Sequence, residues 1–235
     1  MSAAAAFIVK IAPVVVKLRV EGSPIFPSVR IAQAGLETGW KIPEHKNMGG
    51  YKVGSGQLTP YWHGKIVNKG TWEVYDGKRV DVTAAFRAYD SVEDFFRDQD
   101  LLFQLPRYDR VRLATTPEQQ ADMLQKCGYA TDPQYGEKLK RIIDNYDLKR
   151  YDLEAEVEIT VIEGLRRQVE QLAAENKRLQ QRVEKLENRA KMAAVPEWAK
   201  EAVDAAVAAG IVDTPEGGSY DFYRILTVMY RKGLI

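Results

Sequence analysis

The sequence predicts an α+β domain, mostly helical with a small β-hairpin lobe, followed by a coiled-coil helix and a small helical carboxy-terminal module. Three observations predict it. Residues 1–150 mix apolar stretches, aromatics and Gly/Pro turns as a chain with one sizeable core does. Residues 153–192 carry a heptad pattern, and residues 193–235, after the break at Pro196, carry two short helical patterns. A chain of 235 residues has room for one ordinary domain plus such appendages.

The first helix is read from Phe7, Ile8, Ile11, Val14, Val15 and Leu18, which keep near-helical spacing, with Pro13 expected to kink or restart it. The second begins near Pro27-Ser28, where proline suits a first turn, and runs through Val29, Ile31, Ala32 and Leu36 to Gly39. Glu37 therefore lies in its last turn. Between Asn47 and Val82, frequent glycines and short aromatic or β-branched runs mark hairpins and loops. Asp76-Gly77 is the expected tip between Val74-Tyr75 and Val80-Val82, with a loop longer than two residues. Helical patterns return at 91–103, 117–127 and 132–146, and Pro117 sits well for a helix start.

In the second segment Ile162, Leu165, Val169, Leu172, Leu179, Val183 and Leu186 alternate in steps of three and four, with Asn176 in the missing place. Isoleucine or valine at a, leucine at d and one buried-position Asn favour a parallel two-stranded coiled coil, hence a homodimer, with Arg182 and Glu187 pairing between chains. The competing reading is one long amphipathic helix folded back on the first domain; polar b, c and f positions argue against it, because an a/d stripe is too narrow for ordinary core packing. In the third segment Trp198, Ala202, Ala205 and Val207 give one apolar face, ended by Gly210. Tyr223, Leu226, Thr227 and Tyr230 give a second.

Composition narrows the chemistry. Lys and Arg total 34 against 33 for Asp and Glu, so no single-sign field draws the protein onto nucleic acid or an anionic membrane. The one cysteine, Cys127, has no partner for an intramolecular disulfide, and the two histidines, His45 and His63, make no zinc site without carboxylate help. Neither a metal nor a cofactor is expected. Cys127 with His63 lacks the sequence context of a cysteine peptidase, and the glycines at 49–56 lack the Lys-Ser/Thr of a phosphate loop. The amino terminus lacks a basic n-region, and Lys10 and Lys17 interrupt its apolar run, so synthesis without a signal peptide is expected.

Hydrolysis of a glycosidic bond needs a protonated carboxylic acid and a second carboxylate. Glu37 lies among Ile31, Ala32, Ala34, Leu36 and Trp40, a setting that raises a carboxyl pKa if the side chain is buried. On these residues alone a solvated glutamate near a helix end is the stronger reading.

The string Pro27-Ser-Val-Arg-Ile-Ala-Gln-Ala-Gly-Leu-Glu-Thr-Gly-Trp40 resembles the segment around the catalytic acid of glycoside hydrolase family 73, the bacterial and phage β-N-acetylglucosaminidases with a lysozyme-like fold. Asn47-Met-Gly-Gly-Tyr-Lys52, the hairpin leading into Ala85-Phe-Arg-Ala-Tyr-Asp-Ser91, and Gly128-Tyr-Ala-Thr-Asp-Pro-Gln-Tyr135 agree in the same order. The resemblance implies that Glu37 is the general acid, that Glu73 in Thr71-Trp-Glu73 is the second acid with Asp76 and Asp81 as rivals, and that Tyr129 faces the acid. It also implies a substrate-binding set of Asn47, Gly50, Tyr51, Trp62, Tyr89 and Tyr135. Of these, Asn47 would shape the cleft by holding its loop and Trp62, like Tyr61 and Trp72, could stack on a sugar. Tyr135 also reads as core. Thr38 stands where the family usually has Ser, and Lys41 where it commonly has Gly.

The implied activity is endo-acting hydrolysis of the β-1,4 bond after N-acetylglucosamine in peptidoglycan, with the β-lobe closing to bring Glu73 towards Glu37. Retention or inversion stays open. A phage or prophage endolysin, made in the host cytoplasm and acting on the wall after release, fits the segment order. The terminal module resembles the short pieces ending Gram-positive phage lysins, distantly like surface-layer homology repeats, and reads equally as wall-binding or as a second dimerisation element. A muramidase or lytic transglycosylase of the same fold, or a wall-binding protein without activity, is the alternative.

Overall fold

The computed structural model describes residues 1–75 and 78–235, with only the backbone described over 71–75 and 78–82. The chain forms two compact units, Met1–Ile162 and Glu163–Ile235.

The first unit opens with α1 (Ala3–Val20), capped by the Ser2 hydroxyl and burying Phe7, Ile8, Ile11, Val15 and Leu18. Pro13 does not restart it: α1 runs through as one helix. Pro13 is solvent-facing, where the carbonyl it leaves without an amide partner meets water. Next comes α2 (Pro27–Thr38), with proline in its first turn and Gly39 ending it in the left-handed conformation. Packed around them are α3 (Val92–Phe103), the short α4 (Asp109–Arg112), α5 (Pro117–Lys126) and α6 (Tyr135–Asn145). The lone sheet among the described residues pairs β1 (Ile66–Tyr75) antiparallel with β2 (Lys78–Arg87). The register pairs Tyr75 with Lys78, so the connection is two residues, shorter than the expected loop; Asp76 and Gly77 lie outside the described residues.

Three buried anchors fix α2, the helix that carries Glu37. Gln120 of α5 accepts from the Phe26 amide at 2.8 Å, and Asp152 accepts from the Ser28 amide at 2.8 Å. These side chains from distant segments satisfy helix-start amides that α2 itself cannot cap. Arg30, fully buried, donates to the Phe96 carbonyl at 3.0 Å and pairs with Asp100. At the far end Trp40 folds back over Gly35 and packs edge-on against Phe7, with ring centroids 5.6 Å apart, and against Tyr146 at 4.7 Å.

The β-lobe hangs from α3 through one carboxylate. Asp98, wholly buried, accepts from Thr59 Oγ1, Arg87 Nη1 and Tyr89 Oη, each at 2.7 Å. A buried charge is tolerated when it is paired and hydrogen-bonded in this way.

The last helix of this unit, α7 (Lys149–Ala190), continues into the second unit. Asp152 and Ala155 are its buried residues, whereas Leu165, Val169, Leu172, Leu179, Val183 and Leu186 are exposed. The second unit also holds α8 (Lys200–Ala208) and α9 (Tyr220–Arg231). Their small core is Ala199, Ala202, Val203, Ala206, Val212, Tyr223 and Leu226. Trp198 and Val207, expected on the buried face, are exposed, because the helix turns its Ala202, Val203 and Ala206 side inward.

Candidate active site

Glu37 sits in the last turn of α2, exposed at the cleft surface, with its carboxyl partly desolvated by the residues around it. Burial pushes its pKa up from the ordinary carboxylate value, and a hydrogen bond from Tyr135 opposes part of that rise. The Tyr135 hydroxyl donates to Glu37 Oε1 at 3.1 Å and accepts from Gln33 Nε2 at 3.3 Å. Gln33 lies one helical turn before Glu37 on the same face of α2. Among the described residues Oε2 of Glu37 has no hydrogen-bond partner.

Glu37 borders two clefts. The larger, about 580 Å³, is lined by Gly49, Gly50 and Tyr51 on one wall and by Gln99, Tyr129 and Tyr135 on the other, among further residues. The second, about 510 Å³, is lined by Lys41, Ile42, Pro43, His45, Lys69 and Phe86 with Asn47 and Gly50. Both volumes fall in the range of small-ligand sites, and Glu37 and Gly50 belong to both.

Tyr129 stands in the larger cleft, yet its hydroxyl accepts from Gln99 Nε2 at 2.9 Å, not from the acid. Its ring is stacked with Phe103 at 5.8 Å and tilted against Tyr135 at the same separation. The nearby Glu37 charge adds to burial in raising the Tyr129 pKa, so the phenol stays protonated. Tyr135 is the tyrosine that bonds the acid, although its pattern also read as core.

Asn47 is buried and ties the 47–51 loop shut. Its Nδ2 donates to the Tyr51 and Arg87 carbonyls at 2.8 Å each, and its Oδ1 accepts from the Tyr51 amide at 2.8 Å. Tyr51 lines the larger cleft with the Arg87 guanidinium 4.6 Å from its ring centre. Two expected substrate contacts are elsewhere. Trp62 is 2% exposed, donates to the Lys65 carbonyl and has Arg87 stacked 4.3 Å from its ring, so it offers no face to a sugar. Tyr89 is buried with its hydroxyl on Asp98, and lines neither cleft. Tyr61 lies under Arg97, away from Glu37. The side chains of Glu73, Trp72 and Asp81, and all of Asp76, lie outside the described residues; the Glu73 backbone pairs with Val80.

Sequence reasoning missed Gln33, Gln99 and His45. Gln33 could have been found from its four-residue spacing to Glu37. Gln99 and His45 reach the clefts only through the fold. Among the described residues no cluster of three or more His, Cys, Asp or Glu could hold a metal ion.

Residues 17–148 match the family described as Glucosaminidase, mannosyl-glycoprotein endo-beta-N-acetylglucosaminidase. The chain belongs to this glucosaminidase family. The glucosaminidase domain is 37% identical over 131 residues to peptidoglycan hydrolase FlgJ of Salmonella typhimurium, covering 54% of this chain and 42% of that protein. It is 35% identical over 138 residues to the exo-glucosaminidase LytG of Bacillus subtilis, covering 54% of this chain and 46% of that one. The chain therefore spans less than half the length of these curated relatives. Among solved structures it is similar to the catalytic domain of the autolysin Auto from Listeria monocytogenes, with a TM-score of 0.55 and 31% identity over 64% of this chain and 88% of that one. The glucosaminidase domain thus shares the fold of this autolysin's catalytic domain.

Proposed function

We propose that the protein hydrolyses the β-1,4 bond after N-acetylglucosamine in peptidoglycan, with Glu37 as general acid. One observation carries the reading: a carboxyl at the cleft surface, raised in pKa by desolvation and held through one oxygen by a buried tyrosine, lines two clefts of saccharide size. Desolvation favours the protonated form of the acid, and the held oxygen turns the other towards the leaving group. Two clefts that meet at the acid suit cleavage within a strand better than removal of a terminal sugar.

The second carboxylate is proposed from sequence alone as Glu73. Tyr129, kept protonated, supplies a phenol to a developing charge or to the acetamido group of the bound sugar. Tyr135 positions the acid, and Asn47, Gly50 and Tyr51 form the wall that faces it.

The exposed a/d stripe of α7 supports a parallel homodimer, since a row of leucine and valine open to water is stabilised by a second copy. Two catalytic heads on one stalk would bind a polymeric wall with avidity. A wall-lysing enzyme of the phage endolysin type fits this arrangement, with α8 and α9 as a wall-binding or second dimerisation element.

The test is hydrolysis of purified cell walls by the full chain, read by zymogram and by mass spectrometry of the products. Reducing-end N-acetylglucosamine is expected, and Glu37→Gln should abolish clearing while leaving the circular dichroism spectrum unchanged. Anhydro-muramic products, or clearing by Glu37→Gln equal to that of the parent, overturn the reading.

A further inference from the structure

The second cleft differs in chemistry from the first. Its walls are the apolar Ile42, Pro43 and Phe86, and two lysines, Lys41 and Lys69, stand at it. Neither lysine is ion-paired among the described residues. His45 adds a donor: its Nδ1 accepts from the Asn47 amide at 3.1 Å, which puts the imidazole proton on Nε2. That Nε2 is buried and has no partner. An acceptor brought to it would complete its hydrogen bonding.

The electrostatic balance is positive. Partial burial, and after it the Lys69 charge, lower the His45 pKa against the opposing Glu44. An Nε2–H in one cleft with two ammonium groups and an apolar wall matches a ligand with a carboxylate, a carbonyl and small alkyl groups. An uncharged hexose supplies none of the carboxylate. In the proposed substrate the sugar next to N-acetylglucosamine is a muramic acid, whose lactyl ether bears a peptide with methyl side chains, amide carbonyls and free carboxylates.

We propose that the cleft formed by Lys41, His45, Lys69 and Phe86 is a specificity site for the lactyl-peptide branch of the muramic acid adjoining the cleaved bond. The inference rests on the proposed glycosidase activity. The branch enters beside Glu37 and Gly50, which both clefts share. His45 Nε2–H donates to an amide or lactyl carbonyl, and Lys41 and Lys69 bind carboxylate. Lys41 stands where the resemblance expects Gly, so this preference is a property of this chain.

The experiment compares glycan strands bearing their stem peptides with the same strands stripped of peptides by an amidase, using the full chain. The parent should cleave the peptide-bearing strands with a kcat/KM higher by roughly fivefold to tenfold, the size of one or two charge-assisted contacts. Lys41→Glu with Lys69→Glu, both on exposed side chains, should bring that ratio to unity or below, and Lys10→Glu on α1 should keep it. In a Glu37→Gln background the same pair of changes should weaken binding of peptide-bearing fragments by the same factor. A parent with no preference, or a double variant that retains the parental ratio and affinity, overturns the assignment while leaving the glycosidase reading standing. Failure of the parent to cleave either strand overturns both.

Discussion

The Tyr135 hydroxyl donates a 3.1 Å hydrogen bond to Glu37 Oε1 across a sequence separation of 98 residues. This bond stabilises the carboxylate form, opposing the burial that favours the acid. Replacing Tyr135 with Phe removes the opposing influence, so the Glu37 pKa should rise further. An enzyme that needs the protonated acid loses activity as pH climbs through that pKa, so the alkaline limb of kcat/KM should move to higher pH in Tyr135→Phe. A limb that stays in place or moves down would show that Tyr135 does not set the acid.

Gly49 forms a wall of the larger cleft. A Cβ there would stand 3.1 Å from both Phe95 Cζ and the Tyr129 hydroxyl. Gly49→Ala should push Tyr129 from its place and lower kcat/KM by about tenfold, since small displacements of catalytic groups are costly. Melting should change little, with a loss of about 1 kcal/mol. Full activity in this variant would remove Tyr129 from the proposed chemistry.

Gly35 is where Trp40 folds back, and a Cβ there would lie 2.5 Å from the indole ring. The ring is wedged against Phe7 and Tyr146 and cannot retreat without opening the core. Gly35→Ala should therefore destabilise the first unit by about 1–3 kcal/mol, read as a lower Tm.

Asp152 holds the start of α2 through the Ser28 amide, but its Oδ2 is buried without a partner. Burial raises its pKa from 3.8 to about 6. The folded state therefore binds this proton more tightly than the unfolded chain, and stability from this group is gained as pH falls from about 6 to 3.8. At neutral pH the buried charge costs up to about 3 kcal/mol. Asp152→Asn keeps an acceptor for Ser28 without the charge, so its Tm should exceed that of the parent at pH 7, by a margin that shrinks towards pH 4. A margin independent of pH would mean that Asp152 is ionised at little cost.

The leucine and valine row of α7 should pair two chains. Light scattering on the full chain is expected to give twice the mass of one subunit, and Leu172→Lys with Leu179→Lys, both on exposed side chains, should return it to one. A single-subunit mass for the parent would end the dimer proposal.

Local rules settle part of this protein. Pro27 and Gly39 bound α2 and put Glu37 in its last turn, because proline suits a first helical turn and glycine a left-handed end. The same rules gave α3 and α5 their starts at Ser91 and Thr116, whose hydroxyls cap them. They fail at Pro13, because a proline on the solvent side of a well-packed helix loses little. They could not tell Trp62 from a sugar platform, because aromatic residues near a cleft and in a core look alike until burial is known. Segment spacing and helix ends determined where the acid stands along the chain. Only the tertiary structure decided its chemistry: it partly desolvated the carboxyl, brought Tyr135 from another helix to one of its oxygens, and set His45 and two lysines in a cleft on its border. A pKa depends on what surrounds a group in space, and most of those surroundings are distant in sequence.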